Sequence, residues 1–120
     1  MVGIDLVQIS RIEKLLEKKN FLTKVFTKIE NDYFIKKNMS IQTIAGIFAV
    51  KEAVSKAFGV GIGKDLGFKD IEVYHDEKNC PKINVSNEKI HQLMSSRGYN
   101  NISISISHDG GMAVAIAFLK

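Results

Sequence analysis

The sequence is poor in residues that staple or interrupt a fold. Its 120 residues include one cysteine, one proline and no tryptophan. A single thiol, Cys80, excludes an intrachain disulfide and has no cysteine partner for a zinc site, so it reads as a tolerated small residue. Pro81 stands alone, and neither a low-complexity tract nor an internal repeat marks a domain boundary. No apolar run approaches the ~20 residues that span a bilayer. The start, Met1-Val2-Gly3-Ile4-Asp5, lacks the basic leader of a secretory signal. The expectation is one domain over residues 1–120, cytoplasmic and independent of membranes.

What is present is a basic, moderately apolar chain. The net charge of +4 points to an anionic partner: nucleic acid, a membrane surface, a phosphorylated cofactor or an acidic protein. Charge alone does not choose among them. Aromatics do not interleave with the basic residues and no nucleic-acid motif appears, which argues against nucleic acid.

Periodicity gives an α+β order. Val2–Val7 reads as a strand around Asp5. Ile9, Ile12, Leu15 and Leu16 recur at helical spacing, with Asn20 as the stop. Arg11, Lys14 and Lys18 form a stripe on that helix. Thr27 and Glu30 make a capping-box pattern for a helix to about Lys37. Ser40 caps a long helix ending at Phe58, where Gly59 stops it. Phe68–Tyr74 and Lys82–Val85 read as strands, and Ser86 or Asn87 opens a helix to Arg97. Asn101–Ser107 alternates isoleucine with serine, Asp109-Gly110-Gly111 signals a tight turn, and Met112–Leu119 returns. That last strand is apolar on both faces, which predicts cover on both sides, one of them by another subunit.

Chemistry concentrates between Phe48 and Lys64. Ala45, Phe48, Ala49, Glu52 and Lys56 share one helix face. Alone, Glu52 and Lys56 are an ordinary surface ion pair. Asp5 alters this, because an acid inside an apolar strand is expensive unless something neutralises it. If it faces Glu52, the two carboxylates need a cation between them, and two carboxylates with phosphate oxygens and waters are the usual setting for Mg²⁺. Gly59-Val60-Gly61-Ile62-Gly63-Lys64 is not a P-loop: Phe58 stands where glycine is needed, Asp65 where Ser or Thr is needed, and the loop follows a helix. No strand precedes it, so it is not a dinucleotide fingerprint. Its glycines still allow close backbone approach to a ligand. His108, at a strand end beside a turn, is better placed for a ligand than His75 or His91, which read as structural.

Three segments together resemble one family. They are Gly3-Ile4-Asp5-Leu6-Val7 with Arg11-Ile12, the run Phe48–Gly63, and Ser105-Ile106-Ser107-His108. The family is the holo-[acyl-carrier-protein] synthases, the small bacterial 4'-phosphopantetheinyl transferases. The resemblance implies their fold, a long helix packed on a small, mainly antiparallel sheet, in a trimer with active sites at subunit boundaries. It implies transfer of 4'-phosphopantetheine from coenzyme A to a serine of apo acyl carrier protein, supporting fatty acid biosynthesis. It assigns Asp5 and Glu52 to Mg²⁺, and Asp5, Glu52 and Lys56 to catalysis. It assigns Lys51, Lys56, Gly59, Gly61, Ile62, Gly63, Lys64, Pro81 and His108 to coenzyme A. Arg11, Lys14, Lys18 and Lys24 would dock the acidic carrier. Two positions depart from the family: Ile47, where members often carry a coenzyme A-binding arginine, and Val60, often threonine. Lys36, Lys37 and Lys64 are nearby substitutes for the missing charge. The alternative is a catalytically inactive basic module that binds acidic carrier proteins.

Overall fold

A computed structural model describes all 120 residues. A three-stranded antiparallel sheet carries the long helix on one face. Its strands are β1 (Val2–Gln8), β4 (Ile102–Asp109) and β5 (Met112–Leu119), in the order β1-β5-β4. β4 and β5 meet across Gly110 and Gly111, both at positive φ, the two-residue hairpin turn that asparagine or glycine sequences favour. The helices are α1 (Ile9–Leu16), α2 (Phe21–Val25), α3 (Lys28–Lys36), α4 (Ile41–Phe58) and α5 (Glu88–Arg97). A hairpin of β2 (Val73–His75) and β3 (Pro81–Ile83) forms a second, two-stranded sheet.

The caps behave as their residue types dictate. Thr27 and Glu30 form the reciprocal capping box of α3. Ser40 accepts from the Thr43 amide at the start of α4, and Gly59 ends it in the left-handed conformation. Asn87, and not Ser86, caps α5, and Gly98 closes it.

Three sequence expectations are corrected. α1 ends at Leu16, so Lys18 lies beyond it in a turn, and left-handed Asn20 starts α2 instead of ending α1. Phe68–Tyr74 is not a strand throughout: Phe68–Asp70 is a 3₁₀ turn, fixed by the Gly67 amide donating to Asp70 Oδ2 at 2.8 Å. A local side-chain acceptor outcompetes strand pairing there. The partner strand is Pro81–Ile83 and not Lys82–Val85, because the pairing register runs Val73↔Ile83 to His75↔Pro81.

α4 is apolar nearly all round and buried accordingly. It meets the sheet obliquely. A Cβ on Gly3 would fall 2.0 Å from the Ala53 carbonyl oxygen and 2.5 Å from the Ala57 nitrogen, so β1 and the second half of α4 touch backbone to backbone. A Cβ on Gly46 would lie 2.9 Å from Ile106, so the first half of α4 rests against β4. Ala113, Ala115 and Ala117 are the small residues that let the helix sit over β5. The other face of the sheet is bare and apolar: Val2, Ile4, Leu6, Ile116 and Phe118 are all at least 42% exposed.

Candidate active site

The close approach at Gly3 decides what Asp5 meets. Residues two apart on a strand share a face, so Asp5 also points at α4, where Glu52 and Lys56 lie one turn apart. Lys56 Nζ donates to Asp5 Oδ1 at 3.0 Å and to the Ile4 carbonyl at 3.1 Å. The surface pair expected from spacing, Glu52 with Lys56, does not form; the ammonium bridges to β1 instead. Burial, and then the Asp5 carboxylate, push Glu52 above the ordinary carboxylate range, while Lys56 and Arg11 pull it back. Arg11 lies across the Phe48 ring, 5.5 Å from its centroid. The result is a pair of carboxylates in which Asp5 is ion-paired to Lys56 and raises Glu52, with Arg11 as a second cation acting on Glu52.

The glycine loop continues from the same end of α4. Gly59 and Gly61 take positive φ, and a Cβ at Gly59, Gly61 or Gly63 would meet nothing within 4 Å. The loop's approach face is therefore open. Lys64 is exposed on it and Ile62 is half-buried. Arg97 of α5 donates to the Phe58 carbonyl and fixes the loop's root, a contact without a sequence pattern.

Pro81 and His108 lie elsewhere. They line the largest cavity, about 580 Å³, between the first half of α4, β4 and the β2–β3 hairpin. Gln42, Thr43, Ile47 and Lys82 share it, and no carboxylate lines it. Ile47 is 2% exposed, so this wall is apolar at the position singled out above. His75, read as structural from sequence, also lines the cavity, stacked on Tyr33. Burial, then Lys37 and Lys36, hold His75 below its usual range against Asp76. Cys80 is exposed on the same rim. Tyr33, His75, Asn79 and Lys82 carried no sequence signal, because three separate elements bring them together.

Lys51 is a correction. It does not line an open site: its side chain is fully buried, 2.7 Å from Glu30 Oε1, and donates to the Phe68 and Ile71 carbonyls at 2.8 and 2.6 Å. Burial pushes Glu30 up and Lys51 down, and their mutual attraction opposes both shifts. Lys51 and Glu52 are neighbours in sequence, but helical rotation sends one to the core and the other toward β1.

Two groups of site residues thus sit on opposite edges of one sheet. Asp5 on β1 is level with Ala115 on β5 and Ile106 on β4, so the acids and the cavity are separated by the full sheet and the helix over it. Arg11, Lys14, Lys18 and Lys24 are all exposed, and Arg11 acts on Glu52.

Residues 1–117 match the 4'-phosphopantetheinyl transferase superfamily. The chain belongs to that superfamily. It is 41% identical over 122 residues to the holo-[acyl-carrier-protein] synthase of Campylobacter lari, covering all of this chain and 98% of that one. It is likewise 41% identical over 123 residues to the synthase of Clostridium perfringens, covering 99% of this chain and 92% of the relative. Among solved structures, the Helicobacter pylori holo-[acyl-carrier-protein] synthase in complex with coenzyme A superposes with a TM-score of 0.87 at 43% identity, over the whole of both chains. The superfamily assignment makes the chain a transferase, and the inactive-module alternative loses its ground. No helix is long and apolar enough to cross a membrane.

Proposed function

We propose that this chain transfers 4'-phosphopantetheine from coenzyme A to a serine hydroxyl of apo acyl carrier protein, releasing adenosine 3',5'-bisphosphate, in the service of fatty acid biosynthesis. The observation that carries the reading is the convergence of Asp5, Glu52 and Lys56, in a chain that matches the superfamily over nearly its whole length.

The donor set fits Mg²⁺. Two carboxylates approach each other from different elements, and the Asp5 charge raises Glu52, a repulsion that a divalent ion would relieve. No third acid, histidine or cysteine joins them, which suits an ion that keeps waters and takes phosphate oxygens as its remaining ligands. Asp5 and Glu52 would hold it, and when bound it supplies charge neutralisation at the pyrophosphate. The chain's own groups do the rest. Phosphoryl transfer is governed by positioning and electrostatic stabilisation. Lys56, poised beside Asp5, neutralises charge gathering on the leaving phosphate. Glu52, with its raised proton affinity, is suited to accept the serine proton directly or through water. The open loop Gly59–Lys64 lets the pantetheine-bearing phosphates approach the backbone. The carboxylate-free cavity, with Lys82, His75 and His108, suits the nucleotide end.

The opposite placement of these two halves supports an oligomer in which one subunit's acidic edge faces its neighbour's cavity. The bare apolar sheet face beside them supports the same reading, and a cyclic trimer closes such a head-to-tail contact. Arg11, Lys14, Lys18 and Lys24 would meet the acidic carrier. The direct test incubates the protein with apo acyl carrier protein, coenzyme A and Mg²⁺, and weighs the carrier. A gain of one phosphopantetheine is expected; an unchanged carrier mass refutes the proposal.

A further inference from the structure

The hairpin that carries His75, Pro81 and Lys82 has little of its own to hold it. β2 and β3 are three residues each, and an isolated two-stranded hairpin is marginal in water. Its anchorage comes from outside. Glu30 Oε2 accepts the Val73 amide at 2.8 Å, at the first residue of β2. Lys51, paired with Glu30 Oε1, holds the Phe68 and Ile71 carbonyls just upstream. One turn along α3, Tyr33 stacks on His75 with ring centroids 3.7 Å apart, and its hydroxyl donates to Asn79 Oδ1 at 3.2 Å. The Glu30–Lys51 pair therefore joins α3, α4 and the approach to β2 at one buried point.

That point is also the joint between two walls of the cavity. α4 carries Gly46 and Ile47 on one side, and the hairpin carries Pro81 and Lys82 on the other. We infer that the Glu30–Lys51 pair is a positioning element for this cavity: it sets the distance between the walls, and so the grip on the nucleotide end of coenzyme A, without touching the ligand. The inference rests on the reading of the cavity as the coenzyme A half-site. Stability alone does not explain a buried ion pair, since apolar residues of similar volume often replace one without loss. What apolar residues lack is direction. They cannot accept the Val73 amide or donate to the Phe68 and Ile71 carbonyls, and those bonds are what fix the hairpin's position.

The test is the double variant Glu30→Leu/Lys51→Met, which keeps the core filled and leaves no buried charge. Hydrogen exchange is followed at the Val73 and Asn84 amides, which donate to Glu30 Oε2 and to the Glu72 carbonyl, with steady-state kinetics alongside. Those amides should exchange at least about tenfold faster while α4 amides hold their rates, and the KM for coenzyme A should rise about tenfold, the size of one lost hydrogen bond. The kcat and the KM for carrier protein should stay near wild type. Unchanged hairpin exchange with unchanged KM overturns the inference, as does a fall in kcat at constant KM. Should the double variant fail to fold, Val73→Pro removes the tethering amide with both charges still paired, and must raise the same KM. A wild-type chain that turns over no coenzyme A refutes the functional reading instead, and the exchange rates then decide the positioning role.

Discussion

Two inactive variants, assembled together, should restore about a quarter of wild-type activity. The first variant, Glu52→Gln, removes one carboxylate from the acidic edge. The second, Lys82→Glu with His108→Glu, places two carboxylates in the cavity at exposed positions, so folding survives. Within one subunit these sites do not meet. The row Asp5, Ala115, Ile106 crosses the whole sheet, which at about 4.8 Å per strand spacing separates the edge backbones by about 9.6 Å. α4 lies over the gap, with Ile47 on one flank and Glu52 on the other. If each working site takes acids from one subunit and a cavity from the next, the arithmetic is fixed. In a random one-to-one mixture, half the subunits have intact acids and half have intact cavities, so about one boundary in four has both. Co-expression gives the random mixture and mass spectrometry of the carrier protein measures its transfer; isolating mixed trimers with two different tags raises the expected share to about one boundary in three. If both halves served one subunit alone, no mixture could recover activity. Transfer by the mixed assembly no greater than the sum of its parents refutes the split site.

Glu52→Gln should separate function from stability. Burial and Asp5 raise the folded-state pKa of Glu52, so the fold favours its neutral form, and its stabilising contribution is lost as pH rises from the ordinary carboxylate range through the raised value. In metal-free buffer near pH 7 the glutamine variant should therefore melt higher than wild type, with the difference vanishing below the ordinary range, while transfer falls at least about a hundredfold, or about 2.7 kcal/mol of barrier. A lower melting temperature at pH 7 contradicts this account. Ile4→Glu, at the centre of the bare sheet face, should reduce the mass in solution from a multiple of 13.4 kDa to 13.4 kDa itself; light scattering reports it, and an unchanged mass removes that face from the contact. Reversing Arg11 and Lys14 to glutamate should raise the KM for carrier protein about tenfold or more and leave that for coenzyme A unchanged, with the wild-type carrier KM itself rising with salt as exposed charges are screened. Equal effects on both substrates would place these residues elsewhere in the mechanism.

Local patterns were legible where local physics governs. The capping box at Thr27 and Glu30, the glycine stop at Gly59 and the strict alternation of Ile102 to Ser107 each depend on neighbours in sequence, and each forms as expected. The errors arise where a distant or competing partner intervenes. Lys51 carries no mark that distinguishes it from Lys56, yet Glu30 draws it into the core and Asp5 draws Lys56 to the sheet. Phe68–Tyr74 has strand-like alternation, but Asp70 satisfies the Gly67 amide locally and turns the chain. His75 looked ordinary because Tyr33, its stacking partner, is 42 residues earlier.

The sequence by itself determined most of the element types, the acid on the first strand and the acid and lysine one helical turn apart, because periodicity and caps act over a few residues. It also carried the family resemblance. Only the tertiary structure decided which of these residues meet. Gly3 lets β1 and α4 close to backbone contact, and that approach turns Asp5 toward Glu52 and Lys56. The strand order β1-β5-β4 then sends the acids and the cavity to opposite edges. That separation is a matter of three-dimensional topology, which no window of sequence contains.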